Sequence, residues 1–225
     1  MSTGMGNHRS GLARAMRAGA WLATLVAMVL LAGCARLLAG GSEGPPTIYA
    51  PDVHVQAAQA WPQVRWALAI GHASGARTAD SLRIAVRPTP SELQIYKGAQ
   101  WAKSPGDMIE DGVLRALEDS GRIASVGRQG SGIAYDYRLL LDVRRFESDY
   151  AGGATPTATI EITAKLLHVK DQQLAGSRTF LQTQAASTPA VPDVVAAFEQ
   201  ALTSVSGELA GWTLTTGEQY ERTRR

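Results

Sequence analysis

Residues Thr157 to Val169 read Thr-Ala-Thr-Ile-Glu-Ile-Thr-Ala-Lys-Leu-Leu-His-Val, and apolar and polar side chains alternate over most of this stretch. A period of two is typical of a β-strand that buries one face and exposes the other. The predicted buried face consists of Ala158, Ile160, Ile162, Ala164 and Leu166. Such a strand needs partners along its edges and a second layer on its apolar face. The stretch therefore predicts a sheet at the centre of the fold.

Partner strands are predicted on both sides of this segment. Arg138 to Phe146 alternates in the same way, and the Gly152-Gly153 turn between the two segments predicts an antiparallel hairpin. A further strand, Leu174 to Ala185, follows a polar turn. The remaining predicted strands are Val64–Ile70, Leu82–Arg87 before Pro88, Leu93–Tyr96 before Gly98, and Ile123–Val126.

One helix is predicted after Ser104. Ser104 can cap it, Pro105 suits the first helical position, and Asp107 completes a Ser-x-x-Asp capping box. Gly121 is a natural terminator. Ile109, Val113, Ala116 and Leu117 form its apolar face.

The second helix follows Pro189 and Pro192 and is expected to end near Gly217. Its apolar stripe comprises Val194, Phe198, Leu202, Val205, Leu209 and Trp212. Two helices with one apolar face each, and a sheet with one apolar face, predict an α+β two-layer sandwich. We expect a mainly antiparallel sheet with both amphipathic helices on one face.

Composition narrows the class of protein. The chain has 225 residues, 45% hydrophobic and 19% charged, which fits one globular domain. Its basic residues number 22 and its acidic residues 20, and three of the basic residues, Arg9, Arg14 and Arg17, precede the single cysteine. Without them the charge is 19 − 20 = −1, which excludes a basic nucleic-acid footprint. One cysteine excludes an internal disulfide framework and a Cys-rich zinc site.

The N-terminus has the layout of a secretory signal peptide. A basic flank precedes the apolar run Ala18 to Leu31, which is shorter than the roughly 20 residues that span a bilayer. The run ends in Leu31-Ala32-Gly33-Cys34, which resembles a bacterial lipobox. We expect cleavage between Gly33 and Cys34 and acylation of the Cys34 thiol by diacylglycerol and an N-acyl lipid, with chains such as palmitate. No other cofactor is expected.

Ala35 follows the cysteine, whereas aspartate there would resemble an inner-membrane retention signal. The sequence therefore favours the periplasmic face of the outer membrane over the inner membrane. The alternative interpretation is a plain signal anchor with an incidental cysteine. The expected organisation is a signal peptide over residues 1–33, a lipidated Gly/Pro-rich tether over 34–62, a domain over 63–214 and a basic tail over 215–225.

Motifs that carry chemistry are few. Gly40 to Gly44 matches G-x-S-x-G without the strand and helix that a nucleophile elbow needs. Gly127 to Gly132 lacks the lysine and spacing of a phosphate loop and predicts a surface turn. The four histidines are scattered, and the pair formed by Asp52 and His54 lacks further ligands nearby. The sequence thus predicts no catalytic residue and no metal site.

Two further groups allow two interpretations each. Asp142, Glu147 and Asp149 can act as an acid–base pair, but cross-strand ion pairing explains them more simply. Tyr96 and Trp101 can form an aromatic recognition patch, but core packing at a strand end is the simpler explanation. The arginines at 222, 224 and 225 are interpreted as a solvated terminus.

Three segments together resemble a known family. They are Leu82-Arg-Ile-Ala-Val-Arg-Pro-Thr-Pro, Tyr96-Lys-Gly-Ala-Gln-Trp-Ala, and Met108 through Leu114-Arg-Ala-Leu-Glu-Asp-Ser-Gly-Arg-Ile. They look like the auxiliary lipoprotein of ABC-type transport systems, the PqiC-like family associated with MCE-domain lipid-trafficking machinery. The resemblance is strongest over residues 81–147. The long tether and Arg-rich tail depart from shorter members.

The resemblance implies a non-catalytic subunit that works with an MCE-domain protein, an ABC permease and an ATPase, with a homo-oligomer possible. Only Cys34 transfers as a defined functional position. The first hypothesis is a lipid-anchored subunit that docks the transporter, which predicts an exposed apolar or sheet-edge patch. The alternative is a lipoprotein that itself carries a lipid, which predicts a continuous apolar pocket between sheet and helices.

Overall fold

A computed structural model describes residues 44–75, 77–132 and 134–224. The predicted signal peptide, the cleavage site at Gly33 and the acylated Cys34 lie outside these residues. The strands are β1 Thr47–Tyr49, β2 Ala67–Ile70, β3 Ser74–Gly75, β4 Arg83–Thr89, β5 Glu92–Trp101, β6 Ser125–Arg128, β7 Tyr137–Asp149, β8 Thr157–His168 and β9 Gln173–Ala185. The helices are α1 Pro105–Ser120 and α2 Val191–Thr223.

All nine strands belong to one sheet, and β7 is the strand that connects them. One edge of β7 pairs antiparallel with β8 from end to end, and β8 pairs antiparallel with β9. The opposite edge of β7 pairs in turn with β2, β3 and β4, all parallel to it. β6 then lies beside β2, β5 lies beside β4, and β1 lies beside β5.

The α+β prediction with two helices is confirmed, and the sheet is mixed. The predicted hairpin is the antiparallel β7–β8 pair, and the longest pairings are antiparallel. Five shorter pairings are parallel. Three of them join β2, β3 and β4 to the same edge of β7, and the other two are β1 with β5 and β2 with β6. Parallel partners are joined by longer connections than a hairpin turn. Local alternation predicts strands but does not specify the direction of their partners.

An aromatic cluster joins the sheet to the helices. Phe146 of β7 stacks on Phe198 of α2, with ring centroids 4.8 Å apart. Trp101 of β5 meets Phe198 edge-on at 5.2 Å and Phe146 edge-on at 5.9 Å. All three rings are almost completely buried. Such pairs add about 0.5–1.5 kcal/mol each beyond the area they bury.

The first helix begins and ends where its local signals place it. Ser104 Oγ accepts a hydrogen bond from the Asp107 amide at 3.2 Å, and Pro105 is the first helical residue. Gly121 ends the helix with φ 59°, in the left-handed region where glycine is unstrained. The predicted apolar face is buried at all four of its positions: Ile109, Val113, Ala116 and Leu117.

Two predicted strand ends are wrong. β4 continues through Pro88 to Thr89, because a register shift lies between Val86 and Thr89 and the missing N–H of the proline breaks no regular ladder there. β5 continues through Gly98, whose φ of 65° belongs to a bulge in which β5 has extra residues opposite β4. Both residues mark an irregularity within the hairpin rather than its end.

The predicted tether is too long, because residues 47–62 are part of the folded domain. β1 pairs with β5. Residues 50–66, here called the strap, lie along the surface of α2. The Asp52 N–H donates to Glu199 Oε2 at 3.0 Å, and Val53 is buried. Pro51 and Pro62 interrupt the periodicity of this segment but do not prevent it from packing on the domain.

Glycines of α2 make room for the strap. A methyl group at Gly207 would lie 3.1 Å from Val55, and one at Gly211 would lie 2.5 Å from Trp61 Nε1. At Gly217 it would overlap the Trp66 ring. Glycine within a helix costs about 1 kcal/mol relative to alanine. The close approach of the strap side chains explains why α2 contains three of them.

The second helix is longer than predicted, since it passes through Gly217 and ends at Thr223. The predicted solvated tail is wrong for Arg224, whose guanidinium lies 3.3 Å from Asp171 Oδ2 and over the Tyr220 ring. Within the described residues, no helix is both long and apolar enough to cross a membrane.

We expect Gly211→Ala to destabilise the domain by about 1–3 kcal/mol, because the new methyl group displaces Trp61 from α2. In a Trp61→Ala background the same change should stabilise the protein by up to about 1 kcal/mol, through helix propensity. Denaturant unfolding of the four variants gives this double-mutant cycle.

The control is Ser204→Ala, at an exposed position of the same helix. It should change the free energy of unfolding by the same small amount in wild type and in the Trp61→Ala background. A Gly211→Ala effect of equal size and sign with and without Trp61 would contradict the packing of the strap on α2.

Candidate docking surface

The hairpin formed by β4 and β5 is exposed at its tip. Residues 92–95 of β5 are exposed on both faces of the strand. Among them are two large apolar side chains, Leu93 at 47% and Ile95 at 42% exposure. They lie two residues apart, so they share one face of the strand. Ile48 of the neighbouring β1 is a third exposed aliphatic residue, at 61%.

The same segment has a free backbone edge. β1 pairs with β5 only at Ala99 to Trp101. In the part of the chain that the structure describes, residues 92–98 of β5 therefore have no strand on the side away from β4. An edge with exposed aliphatic side chains is a site where another extended chain can add a strand.

An ion-pair cluster fixes the hairpin to the body of the sheet. Arg87 of β4 donates from Nε to Glu147 Oε1 at 2.8 Å and from a terminal nitrogen to Oε2 at 2.9 Å. Arg87 also donates to the carbonyl of Pro90 in the turn, at 2.9 Å. Arg145 donates to the same Glu147 oxygen at 2.7 Å and to Asp149 at 2.5 Å. This cluster, here called the clamp, holds the hairpin turn against β7.

The clamp keeps its central carboxylate ionised. Burial alone would raise the pKa of Glu147, but hydrogen bonds from Arg87 and Arg145 outweigh it and leave the pKa below its ordinary value. The prediction that Glu147 and Asp149 serve as ion-pair partners agrees with this geometry. Asp142 also pairs, with Arg144 at 3.9 Å, and Arg144 reaches Glu161 of β8 at 3.7 Å.

The two aromatic residues of the predicted recognition patch lie inside the fold. Trp101 is 1% exposed, and Tyr96 is half-buried with its hydroxyl 3.0 Å from Ser148 Oγ. Burial raises the pKa of Tyr96 to about 12. Core packing at a strand end, the simpler interpretation, is therefore the one observed.

The other sequence candidates do not converge on a site. His54 Nδ1 lies 3.5 Å from Asp52 Oδ1, and both side chains are exposed. The first two residues of the Gly-rich segment Gly127 to Gly132 belong to β6, which ends at Arg128. The rest of the segment forms a surface turn. Of the G-x-S-x-G match, only Gly44 lies within the described residues.

A second sheet edge is formed by β9. It also has two exposed leucines, Leu174 at 52% and Leu181 at 57%. These leucines lie seven residues apart, and the exposed positions between them are mostly polar, including Arg178 and Thr179. Charged side chains oppose strand addition, and both edges have them: Arg178 on β9, and Glu92 and Lys97 at either end of the exposed part of β5. The β5 edge is the more continuous apolar surface of the two.

The lipid-carrier hypothesis predicts a pocket between the sheet and the helices, and buried side chains fill that region. The Trp101, Phe146 and Phe198 cluster occupies that region, and the aliphatic residues around it are buried. A cavity of 390 Å³ opens beside Val53 and Met108, between the strap and α1. Its position is at the surface rather than between the layers. Among the described residues, the space between the sheet and the helices is thus packed rather than open to a lipid.

Sequence reasoning predicted a strand over Leu93–Tyr96 but did not identify Leu93 and Ile95 as exposed. Leu93 and Ile95 alternate with Gln94, a pattern that predicts a buried aliphatic face, whereas the structure exposes it. The relevant signal is the polar and proline-rich turn Pro88 to Glu92, which is typical of a hairpin tip that projects from a sheet.

Comparison with known proteins gives a consistent result. The model of the family described as "ABC-type transport auxiliary lipoprotein component" matches residues 47–210. The crystal structure of protein XCC0632 from Xanthomonas campestris, of the DUF330 family, is 57% identical, with a TM-score of 0.76. The alignment covers 78% of this chain and 99% of that one.

A second crystal structure, of an uncharacterized protein, is 15% identical with a TM-score of 0.58, covering 74% of this chain and 97% of the other. It shows the same fold. No curated protein sequence matches this chain.

We expect Glu147→Gln to destabilise the domain by about 2 kcal/mol at neutral pH, because Arg87 loses its carboxylate partner and Arg145 keeps only Asp149. A carboxylate with a lowered pKa stabilises the fold above its unfolded-state pKa, and this stabilisation is lost as the pH falls through the folded-state value. The difference from wild type should therefore shrink below about pH 4.5. Urea unfolding at several pH values measures it.

Asp142→Asn removes a half-exposed partner of Arg144 and should change stability by less than about 1 kcal/mol at any pH. Equal effects of the two substitutions, or an effect of Glu147→Gln that grows towards acid pH, would contradict the role of the clamp.

Proposed function

The chain belongs to the family of ABC-type transport auxiliary lipoprotein components, and we propose that it is a non-catalytic, lipid-anchored subunit that docks a transporter. The partner that fits this role is an MCE-domain protein working with an ABC permease and an ATPase. The system would move lipids between the two membranes of the envelope. A homo-oligomer of the auxiliary subunit is compatible with this arrangement.

The observation that carries the proposal is the free edge of β5 with Leu93 and Ile95 exposed beside it. The occupant is an extended segment of the MCE-domain protein that adds a strand along residues 92–98. Main-chain hydrogen bonds would supply affinity, and alternate side chains of the segment would contact Leu93 and Ile95. The clamp fixes the hairpin, so little ordering entropy opposes the docking.

The predicted anchor lies close in sequence to the strand beside the docking edge. Thr47 begins β1, which lies directly beside β5. Thr47 is thirteen positions after Cys34 (47 − 34), and an extended chain of that length reaches at most about 47 Å. Acylation of Cys34 would therefore keep Thr47, at the start of β1, within that distance of the bilayer. We place the anchor in the periplasmic face of the outer membrane, because Ala35 follows Cys34.

Cys34→Ser should abolish acylation and release the protein from the membrane fraction, because multiple acyl chains are needed for stable anchoring. Metabolic labelling with a palmitate analogue and membrane fractionation measure both effects. Acylation that persists in the variant would overturn the assignment of Cys34.

The combined variant Leu93→Asp and Ile95→Asp should no longer bind the transporter. Charges at both positions oppose strand addition at the edge, while the fold tolerates them because both side chains are exposed. Intact envelopes are crosslinked and solubilised, and the protein is captured for mass spectrometry. We expect recovery of the MCE-domain protein to fall at least about tenfold relative to wild type.

Leu181→Asp is the matched control, since Leu181 is exposed on the other sheet edge and its substitution should leave recovery unchanged. Equal recovery from the β5 variant and wild type would contradict docking at this edge. Recovery of phospholipid without any transporter component would favour the lipid-carrier alternative.

A further inference from the structure

A histidine from the loop between β2 and β3 lies over the first turns of α1. His72 Nδ1 is 3.0 Å from Glu110 Oε1. Asp107 is one turn earlier on the helix, and one ligand atom from each of the three residues lies within 4.8 Å of the others. These residues are remote from the docking surface and take no part in the proposed docking.

Glu110 lies between Ile109 and Asp111 of α1 and is a buried carboxylate, with 4% exposure. Its Oε1 accepts the N–H of Ala73 at 2.6 Å. The closest cationic contact to Oε2 is Arg128 Nε at 3.7 Å, beyond hydrogen-bond distance, and that guanidinium is bonded to Asp111. A buried carboxylate requires a partner of opposite charge. The contact of Oε1 with the exposed His72 imidazole, at 3.0 Å, is the one that a bound cation would replace.

Hydrogen bonds orient the carboxylates of both Glu110 and Asp107. The Ala73 N–H holds Glu110, and the Ser104 hydroxyl donates to Asp107 Oδ2 at 2.8 Å. Hydrogen bonds of this kind fix ligand oxygens at metal sites. A cavity of 420 Å³ adjoins two of the three residues, and His72, Asp80, Lys103 and Asp107 are among the residues that line it. It has room for water molecules that would complete a coordination shell.

We propose that His72, Asp107 and Glu110 bind one Zn²⁺ ion. Bonds of about 2.0–2.1 Å in tetrahedral geometry place ligand atoms about 3.3 Å apart, close to the observed separation of His72 Nδ1 and Glu110 Oε1. One imidazole nitrogen with carboxylate oxygens suits zinc better than calcium or magnesium, which prefer oxygen ligands only. The ion would tie the β2–β3 loop to the start of α1.

The test is zinc titration of the full-length protein, purified in detergent and stripped with EDTA, by isothermal calorimetry. We expect one zinc ion per chain with a dissociation constant of about 10 μM or lower, and His72→Ala and Asp107→Asn should each weaken binding at least about tenfold. Zinc should also raise the thermal unfolding midpoint of the wild type and not that of these variants.

His72→Ala removes an exposed side chain and should leave the fold intact, and Glu110→Gln keeps an acceptor for the Ala73 N–H. The matched control is Asp52→Asn with His54→Ala, a surface acid–histidine pair whose removal should leave zinc binding unchanged. No zinc uptake by the wild type at about 100 μM would overturn the site. So would equal affinity of wild type and the His72, Asp107 and Glu110 triple variant.

Discussion

Backbone hydrogen bonding along both edges of β7 is the constraint on which the other elements depend. Its thirteen residues pair with the whole of β8 on one side and with β2, β3 and β4 in turn on the other. Because β7 buries one face, a register slip by one residue would expose that face, including Leu139 and Phe146. The helices then cover the apolar face of a sheet whose register is already fixed.

The exposed edge follows from how β4 meets β7. β4 pairs with β7 only at Val86 and Arg87, close to the end of β7, so the hairpin that β4 makes with β5 extends past the body of the sheet. The clamp between Arg87 and Glu147 compensates for this short pairing with charged hydrogen bonds. A rigid hairpin with a free edge, on a domain whose core is filled, suits a protein that binds a partner rather than a lipid.

Sequence predicted the elements whose signals are local. The capped helix after Ser104 and the long hairpin depend on residues within a few positions of one another. The strap was mistaken for a tether, because its packing depends on Gly211 of a helix that lies 150 residues away from Trp61 (211 − 61). Exposure of Leu93 and the meeting of His72 with Glu110 are likewise set by tertiary contacts, which spacing in the sequence does not encode.

Site-specific photocrosslinking along β5 in intact cells tests the central claim, that the domain docks a transporter through this edge. With a photoreactive residue placed in turn at each position from 92 to 98, we predict adducts with the MCE-domain protein that are strongest at alternate positions, as strand addition requires. The same residue at Leu181 should give none. Adducts at Leu181 with none along β5 would contradict the account.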